Sequence, residues 1–333
     1  MRLTSLAVFA CTFGIACGSS TAESGFGDGG AGTGNGNGNG NGNGNGGTIG
    51  GSDGGSLGSG GEAGTGLPAD GCSDAAKLIY VLSQENDLYS FYPPDKKFIK
   101  IGALGCKAAG QTPNSMAVSR DATAWVNYAD SLGLNNTGSI FKVSTANASC
   151  QATTVKLSSG WYRLGMGFST DGASSTNETL YVAATGGATG GSSKGLGKID
   201  LTTQSLVPIG SFTGSLKGKD GELTGTGDGR LFGFFTTTPV EVAEIDKVNT
   251  PGTIVKTTKL PAVETPAAWA FSFWGGDFYL YTAPDATLNP GRTTNVSRYR
   301  PSDNTTDPAY MTNIGFTIVG AGVSTCAPVE PPK

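Results

Sequence analysis

Between residues 78 and 283 one pattern returns five times. It is a short run of aromatic and aliphatic residues: "LIYVLS" (78 to 83), "AWVNYA" (124 to 129), "LYVAAT" (180 to 185), "LFGFFT" (231 to 236) and "FYLYTA" (278 to 283). Aligned on Tyr80, Trp125, Tyr181, Phe232 and Tyr279, the copies are 45, 56, 51 and 47 residues apart, a period found in propeller blades and related arrays. Alternation with a period of two is a strand signal rather than a helix signal. The repeat therefore constrains the chain to a set of similar β-units that bury their faces against one another.

Each copy is followed by a second strand pattern: "YSFYPPD", "FKVSTAN", "GKIDLTT", "AEIDKVN" and "SRYRPSD". A third follows in "FIKIGAL", "QATTVKL", "LVPIGSF", "IVKTTKL" and "AYMTNIG". Ahead of copies two to five lies a segment of small residues: "NSMAVSRD", "RLGMGFSTD", "ELTGTGD" and "AAWAFSFWGGD". Small side chains suit an innermost strand, where several sheets crowd around one axis. The first copy lacks that segment, and "TIVGAGVSTC" (317 to 326) supplies it after the fifth copy has ended. A ring closed by its last strand has no open edge between its ends. The expectation is an all-β, five-bladed β-propeller of four-stranded antiparallel blades, with six blades as the alternative.

In this layout residues 75 to 326 resemble the WD-repeat and related β-propellers of bacterial surface proteins, although no blade carries a Gly-His or Trp-Asp signature. Propellers host many functions, so the resemblance implies a fold and not an activity.

The N-terminal region is of another kind. "MRLTSLAVFACTFGIACGSS" carries Arg2 and an apolar run from Leu6 to Ala16, too short for a permanent bilayer span and of the length of an export signal. Gly14-Ile15-Ala16-Cys17 resembles the lipobox of bacterial lipoproteins, in which the cysteine becomes the lipidated first residue; Gly14 stands where that family usually has Leu. The resemblance implies lipidation at Cys17 and an outer-membrane or cell-surface location. An ordinary signal peptide, with a periplasmic or secreted product, is the other reading.

Residues 18 to 71 contain almost no large apolar side chain, and Asn35 to Gly46 is six Asn-Gly pairs in a row. Asn-Gly makes hairpins only between apolar strands, and such a composition buries too little surface to offset its ordering entropy. The expected organisation is a signal peptide over 1–16, lipidated Cys17 with a disordered Gly/Asn/Ser-rich tether over 17–71, the propeller over 72–328 and a disordered tail over 329–333. The 54 residues between Cys17 and Cys72 have a root-mean-square reach of roughly 40 Å as a Gly-rich coil.

Four cysteines remain beyond the signal, in a chain exported to an oxidising compartment where disulfides persist. Cys326 ends the closing strand and Cys72 precedes the next strand of the same blade, so a bridge there would latch the ring. Cys106 and Cys150 pair by elimination, although the layout sets them near opposite ends of neighbouring sheets.

There is no histidine, which excludes catalytic triads, Cys/His pairs and histidine metal ligands. The net charge of −4 supplies no field for phosphates, so no nucleic-acid partner is expected. Asp121, Asp171, Asp228 and Asp277 recur at one turn of each blade, where Asp hydrogen-bonds the turn backbone. Inner strands supply Glu222 and few other acids, which argues against a sugar hydrolase with converging carboxylates. Trp269 and Trp274 read as core.

The candidate binding face lies opposite those aspartates, at loops 130–138, 186–194 and 284–293, with Trp161, Tyr162, Arg163 and Glu222. Aromatic residues beside Arg are common contact residues, although Trp161 and Tyr162 would equally plug a gap between blades. The leading functional expectation is a cell-envelope lipoprotein, membrane-bound through its lipid. Its propeller would bind a protein or carbohydrate partner without catalysis or cofactor. The alternative is a metal-assisted hydrolase or lyase acting in the channel.

Overall fold

A computed structural model describes residues 71–130, 137–173, 175–186 and 192–332. The expected signal peptide, Cys17 and most of the tether lie outside the described residues, as do most of loops 130–138 and 186–194. No helix among the described residues is long and apolar enough to cross a membrane.

Among the described residues twenty strands form five four-stranded sheets. Blade one holds β1 (Ile79–Ser83), β2 (Asp87–Tyr92) and β3 (Lys97–Ala103). Blade two is β4 (Thr112–Val118), β5 (Thr123–Ala129), β6 (Gly138–Ser144) and β7 (Cys150–Ala152). Blade three is β8 (Leu164–Thr170), β9 (Glu178–Ala184), β10 (Gly195–Asp200) and β11 (Ser205–Gly210). Blade four is β12 (Gly221–Gly225), β13 (Leu231–Phe235), β14 (Glu241–Ile245) and β15 (Ile254–Lys259). Blade five is β16 (Ala268–Trp274), β17 (Asp277–Ala283), β18 (Asn295–Arg300) and β19 (Thr305–Met311), the last beginning ahead of the expected "AYMTNIG". β20 (Ile318–Val323) then returns to blade one and pairs antiparallel with β1, Ile79 opposite Val323 and Val81 opposite Ala321.

The inner strands β20, β4, β8, β12 and β16 pack in a closed ring. Their small residues permit this. A Cβ on Gly165 of β8 would lie 2.1 Å from the Gly221 carbonyl oxygen of β12, and one on Gly225 would lie 2.1 Å from the Phe168 oxygen, so backbone meets backbone where the blades converge.

Second strands are buried on both faces, and alternation sends their side chains to two different interfaces. Ile79 and Val81 pack with blade five, beside Ala270, Tyr279 and Tyr281, whereas Tyr80 and Leu82 pack with blade two, beside Met116 and Val126. The remaining three junctions each hold an apolar cluster of their own. The core is therefore a circle of five interblade cores, and no blade is buried until both neighbours are present.

Closure is reinforced away from the strands. Cys72 and Cys326 are disulfide-bonded across 254 residues, with Cα atoms 5.7 Å apart. Beside them the Ser324 hydroxyl donates to Ala76 O at 2.6 Å, and the Trp274 indole N–H donates to Lys77 O at 2.7 Å.

Cys106 and Cys150 are also bonded, Cα atoms 5.2 Å apart. Flat blades would set these two near opposite ends of neighbouring sheets. Sheet twist accumulates over four strands and swings the end of β3 against the outer turn of blade two, where a Cβ on Gly102 would meet the Ala148 methyl at 3.3 Å. Two disulfides are the mark of an oxidising compartment outside the cytosol.

Candidate functional site

One face of the ring carries the starts of the inner strands and the connections between blades. At its centre a cavity of about 80 Å³ is lined by Asn114, Arg163, Thr185, Glu222, Trp269 and Val319. All five blades contribute to this channel mouth.

Glu222 sits second in β12 and is only 3% exposed. Its Oε1 accepts from the Ser115 hydroxyl of β4 and from the Met166 N–H of β8, the latter at 3.1 Å. Burial pushes its carboxyl up to about 8, with the two hydrogen bonds opposing. At neutral pH the group is mostly a protonated acid, which both donates and accepts.

Arg163, just ahead of β8, donates from Nη1 to Asp130 O at 3.3 Å. Burial holds its guanidinium below the usual arginine range, with Asp220 and Asp130 opposing. Asp220 is in turn raised by burial, against the Gly186 N–H at 2.7 Å and the field of Arg163.

Asn114 and Asn127 stitch the wall. Asn114 Nδ2 donates to Asn127 Oδ1 at 3.0 Å and to Leu164 O at 2.8 Å. Fully buried Asn127 accepts from the Leu164 N–H at 3.1 Å and donates to Tyr162 O at 3.1 Å. Blades two and three are thus locked at the rim, which holds the first residues of β8 still.

The expected binding residues separate. Arg163 and Glu222 line one cavity. Trp161 is 4% exposed and lies among Trp125, Ile140, Leu164 and Leu180, its ring over Gly197; it plugs the junction of blades two and three and offers no surface. Tyr162 is half-buried at the rim, with its carbonyl bound by Asn127.

Trp269, expected in the core, packs against the blade four–five cluster and also lines the mouth. Among the described residues its Nε1 and the Thr282 Oγ1 are the buried side-chain polar atoms without a hydrogen-bond partner, and the two residues face each other across the β16–β17 ladder. Asn114 and Thr185 were not singled out from the sequence. A polar residue at a strand end carries no periodic signal, and only the closed ring brings these ends together.

On the opposite face Asp121 accepts from the Thr123 N–H at 3.1 Å, and Asp228 accepts from the Thr226 hydroxyl while pairing with Arg230 at 2.9 Å. Asp277 receives Arg298 Nε from the adjacent strand at 2.6 Å, and Asp171 takes the Thr179 hydroxyl at 2.8 Å. Each of these hydrogen bonds and ion pairs stays within one blade. Among the described residues no three of Asp, Glu and Cys are grouped closely enough to hold a metal ion.

No protein-family model matches the chain, and neither does any curated protein. Solved structures do resemble it. Regucalcin from Agrobacterium tumefaciens, a calcium-binding protein, is 17% identical, with a TM-score of 0.41 over 66% of this chain and 70% of that one. Virginiamycin B lyase from Staphylococcus aureus is 13% identical, with a TM-score of 0.36 over 71% of this chain and 70% of that one. A chain of a nidogen–laminin complex is 8% identical, with a TM-score of 0.45 over 74% of this chain and 97% of that one. The likeness is one of fold.

Proposed function

We propose that this chain is an exported lipoprotein, anchored through Cys17 and held on the 17–71 tether. Its propeller binds an uncharged, hydroxyl-rich ligand at the channel mouth, the protruding end of an envelope carbohydrate, with no chemistry of its own. The observation that carries this reading is the meeting of Glu222, Asn114, Arg163 and the Trp269 indole on one cavity. A neutral acid, an amide and a guanidinium match groups that both donate and accept, and an indole supplies an apolar surface beside them.

A cavity of about 80 Å³ is well below the roughly 300–1,000 Å³ of sites that enclose a whole small molecule. That size supports recognition of a ligand's tip over conversion of an engulfed substrate.

The test is calorimetric titration with oligosaccharides released from the envelope of the producing cell. Arg163→Ala together with Trp269→Ala is expected to abolish binding, whereas Glu222→Gln, which stays neutral and hydrogen-bonding, retains it. Undiminished binding by the double variant removes the reading.

One observation favours a second reading. A carboxyl that still holds its proton near pH 7 is equipped to act as a general acid, as a hydrolase or lyase requires. Under that reading Glu222→Gln binds ligand but loses all turnover, so the same variant separates the two.

A further inference from the structure

The face opposite the mouth carries a second built feature, on blade five. The β16–β17 turn is Gly275-Gly276, both with positive φ, 62° and 82°, so only backbone rises from it. Residues 327–332 cross that turn. The Gly275 N–H donates to Pro328 O at 2.7 Å, and a Cβ on Gly276 would come within 3.3 Å of the Val329 carbonyl oxygen. The expected disordered tail thus has four of its residues, 329–332, against the propeller.

On one side of the turn is a cavity of about 160 Å³ between blades four and five, lined by Phe232, Phe278 and Tyr299 and bordered by Val329. On the other is a cavity of about 370 Å³ between blades five and one, lined by Tyr92, Trp274, Tyr279 and Tyr310, with Pro331 and Pro332 along it. Neither is filled by the segment, since Val329 is 41% exposed and both prolines are exposed. Tyr92 meets Trp274 edge to face at 5.4 Å and is itself 36% exposed, an aromatic lip on the larger cavity.

We propose that these two cavities and the glycine turn between them form a docking groove for an extended, proline-containing segment of a partner protein, with Val329 to Pro332 as its resident, displaceable occupant.

Three observations argue for that occupant. Val-Glu-Pro-Pro is already laid across the groove. Aromatic-lined grooves accept proline-rich segments because the extended proline helix loses little entropy on docking. The glycine pair removes the side chains that would lift an extended backbone off the turn. The resident segment is tethered and so competes at an effective concentration of about millimolar, which makes the groove selective for partners that fill the space it leaves.

The test is fluorescence anisotropy with two labelled peptides, APVEPPK and APVEAAK, against the full chain and a chain shortened to end at Pro328. APVEPPK is expected to bind the shortened chain about tenfold more tightly than the full chain, and about tenfold more tightly than APVEAAK does. Tyr92→Ala in the shortened chain removes most of that gain. Because shortening disturbs a packed segment, the full chain with Pro331→Ala and Pro332→Ala provides a second comparison, with the same expected rise in affinity. Equal binding of the two peptides, or no gain in either altered chain, overturns the proposal. So does a full chain that dimerises by exchanging this segment between copies, since the groove then belongs to a second copy.

Discussion

The carboxyl of Glu222 in blade four accepts a hydrogen bond from the hydroxyl of Ser115 in blade two, joining two blades that are not neighbours in the ring. That single bond crosses the space between inner strands, and a third blade joins it through the Met166 N–H at 3.1 Å. Its carboxyl is buried and its affinity for a proton is raised to about 8. In the pH range between the ordinary glutamate value and about 8 the folded state binds more protons here than the unfolded chain does. The stability contributed is fully present below the ordinary value and is lost as pH rises through the folded one. Urea midpoints measured from about pH 5 to pH 8 should therefore fall, this group contributing about 1 kcal/mol per pH unit. Glu222→Gln should flatten that slope, and an unchanged slope would mean that Glu222 is already ionised in the fold.

The latch should outweigh the second disulfide. Chain-entropy loss scales with loop length, giving about 5 kcal/mol for the 254-residue span and about 4 kcal/mol for the 44-residue one. Paired Cys72→Ser and Cys326→Ser changes should lower the unfolding free energy more than Cys106→Ser with Cys150→Ser. Denaturation of the two variants side by side reads this directly, and the reverse order contradicts it.

Backbone contact at the axis should tolerate no side chain. Gly165→Ala places a methyl 2.1 Å from the Gly221 carbonyl oxygen, and a loss of more than about 3 kcal/mol or failure to fold is expected. Gly105→Ala, with nothing within 4 Å, should stay within about 0.5 kcal/mol. Thermal unfolding of both gives the comparison.

Trp161 and Arg163, two residues apart, should behave as different kinds of residue. Trp161→Ala leaves a cavity in a junction where the ring is 4% exposed and should cost about 3–5 kcal/mol. Arg163→Ala should cost far less stability and act instead on ligand affinity. Chemical denaturation combined with titration of the proposed ligand separates them.

Lipidation at Cys17 predicts that labelled fatty acid is incorporated into the chain in the producing cell and that Cys17→Ser abolishes the label. Retention of label in that variant would move the anchor elsewhere.

How much of this was legible follows from what repeats. Tyr80, Trp125, Tyr181, Phe232 and Tyr279 mark equivalent positions, and the lone segment at 317–326 announces the closing strand, so the ring is readable in the sequence. The place of Glu222 on an inner strand is readable too, as the one acid in that strand. Of the two readings open for Trp161, surface contact or plug between blades, the structure shows the plug; an aromatic residue beside Arg looks the same in sequence either way. Asn114, Thr185 and the mouth-facing part of Trp269 come together only where five strand ends converge, a relation between blades that no stretch of a single blade contains. The pairing of Cys106 with Cys150 is readable by elimination, whereas the approach of the two strand ends depends on twist, which letters do not record.

Blade one is made from both ends of the domain, β1 near its start and β20 at its finish. During synthesis the edge of β1 waits without its partner until residues 318–323 have emerged, and the interblade cores on either side of it wait as well. The ring is thus a structure whose first blade is completed last, and its closure waits on the final strand of the propeller. An open sheet edge is exposed for the whole of that interval.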